Sequence, residues 1–164
     1  MPFEIQVRYS TPLTPVQDAD EVLREFLTLI GYLPEGPDPD ETDRSVAYRL
    51  LRDCFLRRPE RAWYPEELAT VLKTTKPTLY RHVNRLKALD LLEEISETSE
   101  DGRGRKGYRI RYGDLSRAWD FVEAHAQNAL KRYRETVDHL QVLLARERTP
   151  RAADPAAPAA RSGR

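Results

Sequence analysis

The stretch Thr74–Glu94, TTKPTLYRHVNRLKALDLLEE, decides the reading of this chain. Leu79, Val83 and Leu86 recur at i, i+4 and i+7, the spacing of one helical face turned to a core. Thr75 stands where an N-cap is needed, and Pro77 fits the first turn, where a missing N–H costs nothing. The spacing therefore predicts a helix over 76–89. Its opposite face carries Arg81 and Asn84, flanked by Tyr80 and Arg85. An ordinary solvated face is built from Glu, Lys and Gln. This one is built from groups that hydrogen-bond to flat, polar partners.

Working outward, Pro65-Glu66-Glu67 opens a shorter helix whose buried side is Leu68, Ala69 and Leu72. The acids sit at its positive dipole end. Arg61–Tyr64 reads as a short aromatic edge strand, with Trp63 and Tyr64 as wedge residues. A longer helix is predicted over 41–58, with Val46, Leu50, Leu51, Cys54 and Phe55 as its stripe and Pro59 as its stop. After the central helix, Leu91–Glu97 extends and Gly107–Tyr112 returns, with Tyr108, Ile110 and Tyr112 alternating with Arg109 and Arg111. The polar loop between them, TSEDGRGRK, carries Arg103, Arg105 and Lys106 among glycines 102, 104 and 107. Strand, basic loop, strand is a hairpin.

The order helix, short strand, helix, turn, helix, two-stranded hairpin resembles the winged helix-turn-helix domain of transcription regulators, broadly of the ArsR and MarR type. The residues that carry the resemblance are YPEELATVLKTTKPTLYRHVNRLKALDLLEE and the wing GRGRKGYRIRY. It implies that the 76–89 helix enters the DNA major groove. Thr75, Lys76, Thr78, Tyr80, Arg81, Asn84 and Arg85 would then face DNA, with Arg103, Arg105 and Lys106 on an adjacent groove or backbone. Arg pairs bidentately with guanine and Asn with adenine. Thr, Tyr and Lys suit phosphates, which set register. Glu100 and Asp101 beside the wing tip oppose phosphate. The metal-sensing ArsR members carry paired cysteines in the helix that matches Glu66–Leu72, and here that helix has none.

Charge supports the placement. The chain of 164 residues has 27 bases and 27 acids, unevenly spread. Residues 1–40 hold two bases against eight acids, a net of −6; residues 41–113 hold 16 against 12, a net of +4; residues 114–164 hold nine against seven, a net of +2. A basic middle segment in a neutral chain is the asymmetry expected of a nucleic-acid surface. Twenty-two of the 27 bases are Arg, a composition that a GC-rich genome also produces.

The flanks read as follows. Phe3–Tyr9 alternates apolar and polar, the period of a half-buried strand that would join the wing sheet or exchange with a partner. Asp18 and Glu21 have capping-box spacing, Val22 to Ile30 is a helix, and Gly31 ends it. Pro34–Asp40, PEGPDPD, is an acidic linker and the candidate boundary. A helix of 30-odd residues follows Asp114, spanning roughly 45–50 Å. Its stripe includes Trp119, Val122, Ala126, Ala129, Tyr133, Val137, Leu140 and Leu144. That length exceeds the reach of a small domain, so part of the stripe is expected to bury against a second copy; the plainer alternative is packing on the chain's own N-terminal helix. The Ala/Pro/Arg tail is expected to be disordered.

The expectation is thus a mainly α fold with a small β wing. It divides into a 1–40 extension, a winged helix-turn-helix domain at 41–113, a long C-terminal dimerisation helix at 114–147 and a tail at 148–164. Its function would be double-stranded DNA binding by a homodimeric transcription regulator. A small-molecule or protein effector has no motif, and the groove between the long helix and the N-terminal segment is the default place for one. Two other readings share the fold: a protein-binding subunit of a larger assembly, and a chromosome or plasmid-maintenance protein. No phosphate-binding glycine loop, His-Glu-x-x-His or nucleophile–base pair occurs, so neither enzyme nor cofactor is expected. His125 and His139 suggest a metal pair only weakly. The lone Cys54 and the lack of a signal or membrane-spanning stretch point to a cytoplasmic protein.

Overall fold

The computed structural model describes residues 2–150. The expected disorder of the tail falls, from residue 151 on, outside the described residues. Two compact units divide between Ala126 and Gln127, within the last helix.

The first unit begins with an extended segment and then α1, Ala19–Leu29. The Asp18 carboxylate caps α1, accepting from the N–H groups of Asp20 and Glu21. Gly31, at φ +86°, ends it. Tyr32 N–H donates to Leu27 C=O and Gly31 N–H to Thr28 C=O, so the last carbonyls are satisfied. Next come α2, Pro39–Arg44, and α3, Val46–Arg49, which runs on as a π-helical turn at Leu50–Phe55. The single helix expected over 41–58 is therefore broken. Ser45 is extended (ψ 146°); its hydroxyl donates to Thr42 C=O and accepts from Tyr48 N–H, so it ends one helix and caps the next. The linker is also shorter than Pro34–Asp40, because Asp38 caps α2.

The helix-turn-helix follows as α4, Pro65–Leu72, and α5, Lys76–Ala88. Lys73 closes α4 in the left-handed conformation. Strands β1, Leu92–Thr98, and β2, Gly104–Ile110, pair antiparallel, Leu92 opposite Ile110 and Thr98 opposite Gly104. The return strand thus starts three residues earlier than expected. It also stops at Ile110, because Tyr112 turns to φ +60° in a short 3-10 turn. Trp63 bridges to Tyr108 through two backbone hydrogen bonds of 2.7 and 2.8 Å, a single bridge at the expected edge-strand position. Gly107 admits this approach: a Cβ there would lie 3.1 Å from the Tyr64 ring. The last helix, α6, spans Leu115–Arg148, with the Asp114 carboxylate accepting from Arg117 N–H.

One core gathers Leu27 of α1, Leu50 and Phe55, Leu68 and Leu72 of α4, and Leu79, Val83 and Leu86 of α5. Ile110, Ala118 and Val122 join it. Burying each large aliphatic contributes about 1.5–3 kcal/mol. The 1–40 segment shares this core through Leu23, Leu27, Ile30, Tyr32 and Leu33. Asp20 ties α1 to α3 and the π-helical turn, accepting from Tyr48 Oη at 2.7 Å and Arg52 Nε at 2.6 Å. The Arg52 hydrogen bond, then that of Tyr48, holds its carboxyl below the usual range.

The strand expected at Phe3–Tyr9 does not form. Phe3 and Ile5 are half-buried, but Val7 and Tyr9 are exposed. Of its backbone N–H groups, those of Glu4, to Ala88 C=O, and Gln6, to Ile30 C=O, bond to the body among the described residues, and those acceptors are helix ends rather than a strand edge. The wing sheet has two strands among the described residues.

Candidate nucleic-acid interface

The two faces of α5 separate as the spacing predicts. Leu79, Val83 and Leu86 are 0–1 % exposed, while Tyr80 is 39 % exposed and Arg81 is exposed. The Thr75 hydroxyl caps the helix, accepting from Thr78 N–H and donating to the Thr78 hydroxyl at 3.0 Å. Arg81 and the half-buried Asn84 have no hydrogen-bond or ion-pair partner among the described residues. Lys76 is exposed but paired with Glu66 at 3.2 Å.

Arg85 is exposed and partly committed. Its Nη2 donates to Gly31 C=O at 2.7 Å, and its guanidinium lies 5.3 Å from the Tyr32 ring centroid. One fork is therefore anchored on the end of α1. His82, between the two arginines, is half-buried, and its Nδ1 is buried without a hydrogen-bond partner among the described residues. Burial first, then Arg81 and Arg85, pushes its pKa below the ordinary imidazole value.

The wing differs from expectation in how its bases are held. Arg105 and Lys106 lie on β2, not in the loop. The Arg105 guanidinium covers the Tyr64 ring at 3.5 Å, and Lys106 pairs with Glu94 at 3.4 Å. The Tyr64 hydroxyl donates to Glu97. Glu94 also takes Lys87 at 2.9 Å, and Glu93 takes Arg109 at 2.6 Å. β1 is thus an acidic strand that neutralises its basic neighbours. Arg103, at the turn, has a side chain with no such partner among the described residues.

The residues expected at a dimer contact are not alike. Val122 is fully buried in the chain's own core and Trp119 packs edge-on against Phe26 at 5.2 Å. Here the plainer alternative, packing on the N-terminal helix, describes the contact. Ala126 and Ala129 are half-buried. In the second unit, Leu130, Tyr133, Val137 and Leu140 are each more than half exposed, and Leu144 is half-buried. His125 meets Asp90 at 2.5 Å and stacks on Phe3 at 4.1 Å. No group of three or more potential metal ligands occurs among the described residues.

Sequence reasoning missed the contacts that hold Arg85 and Arg105 in place. The Gly31–Arg85 bond joins positions 54 apart, and the Tyr64–Arg105 stack joins a helix cap to a strand. Neither leaves a local pattern. The adjacency of His82 to two arginines one turn apart was visible but pointed to no chemistry by itself.

Residues 42–95 match a family model described as a helix-turn-helix domain. With the paired strands that follow α5, this part of the chain is a winged helix-turn-helix domain. Among solved structures, the chain is similar to a possible transcriptional regulator from Methanosarcina mazei Go1. That likeness has 16 % identity and a TM-score of 0.40, covering 61 % of this chain and 86 % of that one. It is also similar to a PadR-like transcriptional regulator from Bacillus cereus strain ATCC 14579, at 22 % identity and a TM-score of 0.33, covering 57 % and 96 %. No curated protein matches the sequence at a significant level. No helix among the described residues is long and apolar enough to cross a membrane.

Proposed function

We propose that this protein binds double-stranded DNA in a sequence-dependent way and acts as a homodimeric transcription regulator. The observation that supports this best is the outward face of α5. On this helix-turn-helix Tyr80 and Arg81 are exposed and Asn84 is half-buried, and the side chains of Arg81 and Asn84 have no partner among the described residues. Arg81 suits guanine O6/N7 and Asn84 suits adenine N6/N7. Thr75, Lys76 and Thr78 suit phosphate, as does Arg103 at the wing turn. Arg85 positions the helix with one fork and has donors left for a phosphate. The exposed stripe Leu130–Tyr133–Val137–Leu140 is the surface for a second copy, which would set two α5 helices on half-sites about 34 Å apart.

The test is selection of bound duplexes from a random pool, with the mass of the free protein measured alongside. A palindromic motif and twice the chain mass are expected. An unenriched pool overturns the reading. The internally neutralised wing favours a second reading, a winged-helix subunit that binds protein. A stable partner from the native extract together with no duplex shift at low salt would establish it.

A further inference from the structure

The extended segment before α1 bonds to the body along one edge. Glu4 N–H donates to Ala88 C=O at 2.9 Å and Gln6 N–H to Ile30 C=O at 3.1 Å. In an extended chain successive N–H groups point to opposite edges. The odd residues therefore turn their backbone groups the other way. Among the described residues, the N–H and C=O groups of Ile5, Val7 and Tyr9 have no hydrogen-bond partner. Val7 is 80 % exposed and Tyr9 fully exposed. Yet the segment is seated. The Phe3 ring stacks on His125, Gln6 lies against Gly31, and Arg8 pairs with Glu35. A seated strand with a free edge, uncovered apolar side chains and no sheet to join is a template for another extended chain.

The residues themselves say which chain. Laid antiparallel to itself about Val7, the run sets Val7 on Val7, Ile5 on Tyr9 and Phe3 on Thr11. Gln6 then faces Arg8 and Glu4 faces Ser10, so no like charges meet. Pro2 falls opposite Pro12, and residues without an N–H close the ladder at both ends. The odd positions that pair are the ones whose backbone groups face the free edge. Neighbouring registers fit less well. Centring on Arg8 sets that charge against itself. Centring on Gln6 sets Tyr9 on Phe3, which is stacked on His125, and Glu4 on Arg8, which Glu35 holds.

We propose that residues 3–11 pair antiparallel with the same stretch of a second copy, an isologous β-ladder centred on Val7. This surface goes beyond the α6 seam and rests on neither that seam nor the DNA reading. A two-stranded ladder is marginal by itself. It therefore adds a contact to an assembly without setting the mass of the free chain at sedimentation concentrations.

The test is amide exchange by NMR on the full chain at a low and a high protein concentration. Glu4 and Gln6 should be protected at both. Ile5, Val7 and Tyr9 should gain protection at the higher one, by about tenfold or more, and Arg8 should not. Val7→Pro removes the central donor and leaves the bonds of Glu4 and Gln6 intact. It should abolish the gain at Ile5 and Tyr9, with the His125 ring signal unmoved because Phe3 stays stacked on it. Val7→Cys should form an intermolecular disulfide at least about tenfold faster than Gln6→Cys, since Val7 meets its own equivalent at about 5.5 Å between Cα atoms. Cys54 is buried and does not compete. At the higher concentration the link should also form in a chain carrying Val137→Glu, so a failed seam and a failed ladder are read apart. Exchange at Ile5, Val7 and Tyr9 that ignores concentration overturns the proposal. So does a Gln6→Cys link that outpaces Val7→Cys, or a Val7→Cys link that Val137→Glu abolishes.

Discussion

The guanidinium of Arg105 lies over the ring of Tyr64, 3.5 Å from its centroid, while the hydroxyl of that ring donates to Glu97 on the facing strand. A residue expected as a loop cation is thereby part of the contact between the N-cap of α4 and the wing. Arg103, exposed at the wing turn, has no side-chain partner among the described residues.

The two arginines should therefore separate in a salt titration. On the DNA reading, Arg103→Ala removes one phosphate contact and lowers the slope of log K against log salt by about 0.9. Arg105→Ala should lower it by less, and should speed amide exchange in β2. Equal loss of slope in both variants would show that Arg105 leaves Tyr64 when DNA binds.

The faces of α5 give a second separation. Leu86 is fully buried, so Leu86→Ala should cost about 2–5 kcal/mol of stability in urea unfolding. Arg81→Ala and Asn84→Ala should leave the urea midpoint nearly unchanged and weaken specific duplex binding by about 1–3 kcal/mol each. A duplex affinity untouched by either polar substitution would remove the helix from the interface.

The sequence carried this helix clearly because every local signal agreed: a Thr cap, a proline in the first turn, and leucines at one period. The same agreement was lacking where the expectations departed. The apolar positions from Val46 to Phe55 all follow the break at Ser45, so their periodicity cannot see that Ser45 caps a helix rather than continuing one. The π-helical turn changes hydrogen-bond partners without changing residue type. Phe3–Tyr9 has strand alternation, but its neighbours are helix ends, so only Phe3 and Ile5 find cover. The candidate site divides the same way. Exposure of Arg81 follows from the helix period, whereas anchoring of Arg85 by Gly31 depends on a contact 54 residues away.

A third prediction concerns pH. His82 has a folded pKa below that of the unfolded chain, from burial first and the flanking arginines second. The unfolded state therefore binds the proton first. The stability that neutral His82 contributes is present above about pH 6.5 and is lost as pH falls through its folded value. Comparing urea midpoints at about pH 7.5 and pH 5.5, wild type should lose more than His82→Gln across this window. An identical pH response in the two proteins would contradict the assigned direction.

The last prediction tests the second unit. Tyr133 and Val137 are 66 % and 54 % exposed, four positions apart on one side of α6, and Leu130 and Leu140 extend the stripe at 63 % and 51 %. Single exposed apolar residues are ordinary, but four at helical spacing form a seam. Val137→Glu places a charge that a seam between two copies would have to bury, while costing a lone solvated helix little. The variant should sediment at the mass of one chain where the wild type sediments at two, with the helical circular dichroism of the first unit retained. Leu140→Glu should act alike. Val122→Ala acts on the first unit's core instead, lowering the unfolding midpoint without setting the mass. If Val137→Glu remains at the mass of two chains, the stripe is not the contact. If the wild type already runs as one chain, a palindromic site loses its explanation, and a half-site bound by a single α5 becomes the expected outcome of duplex selection.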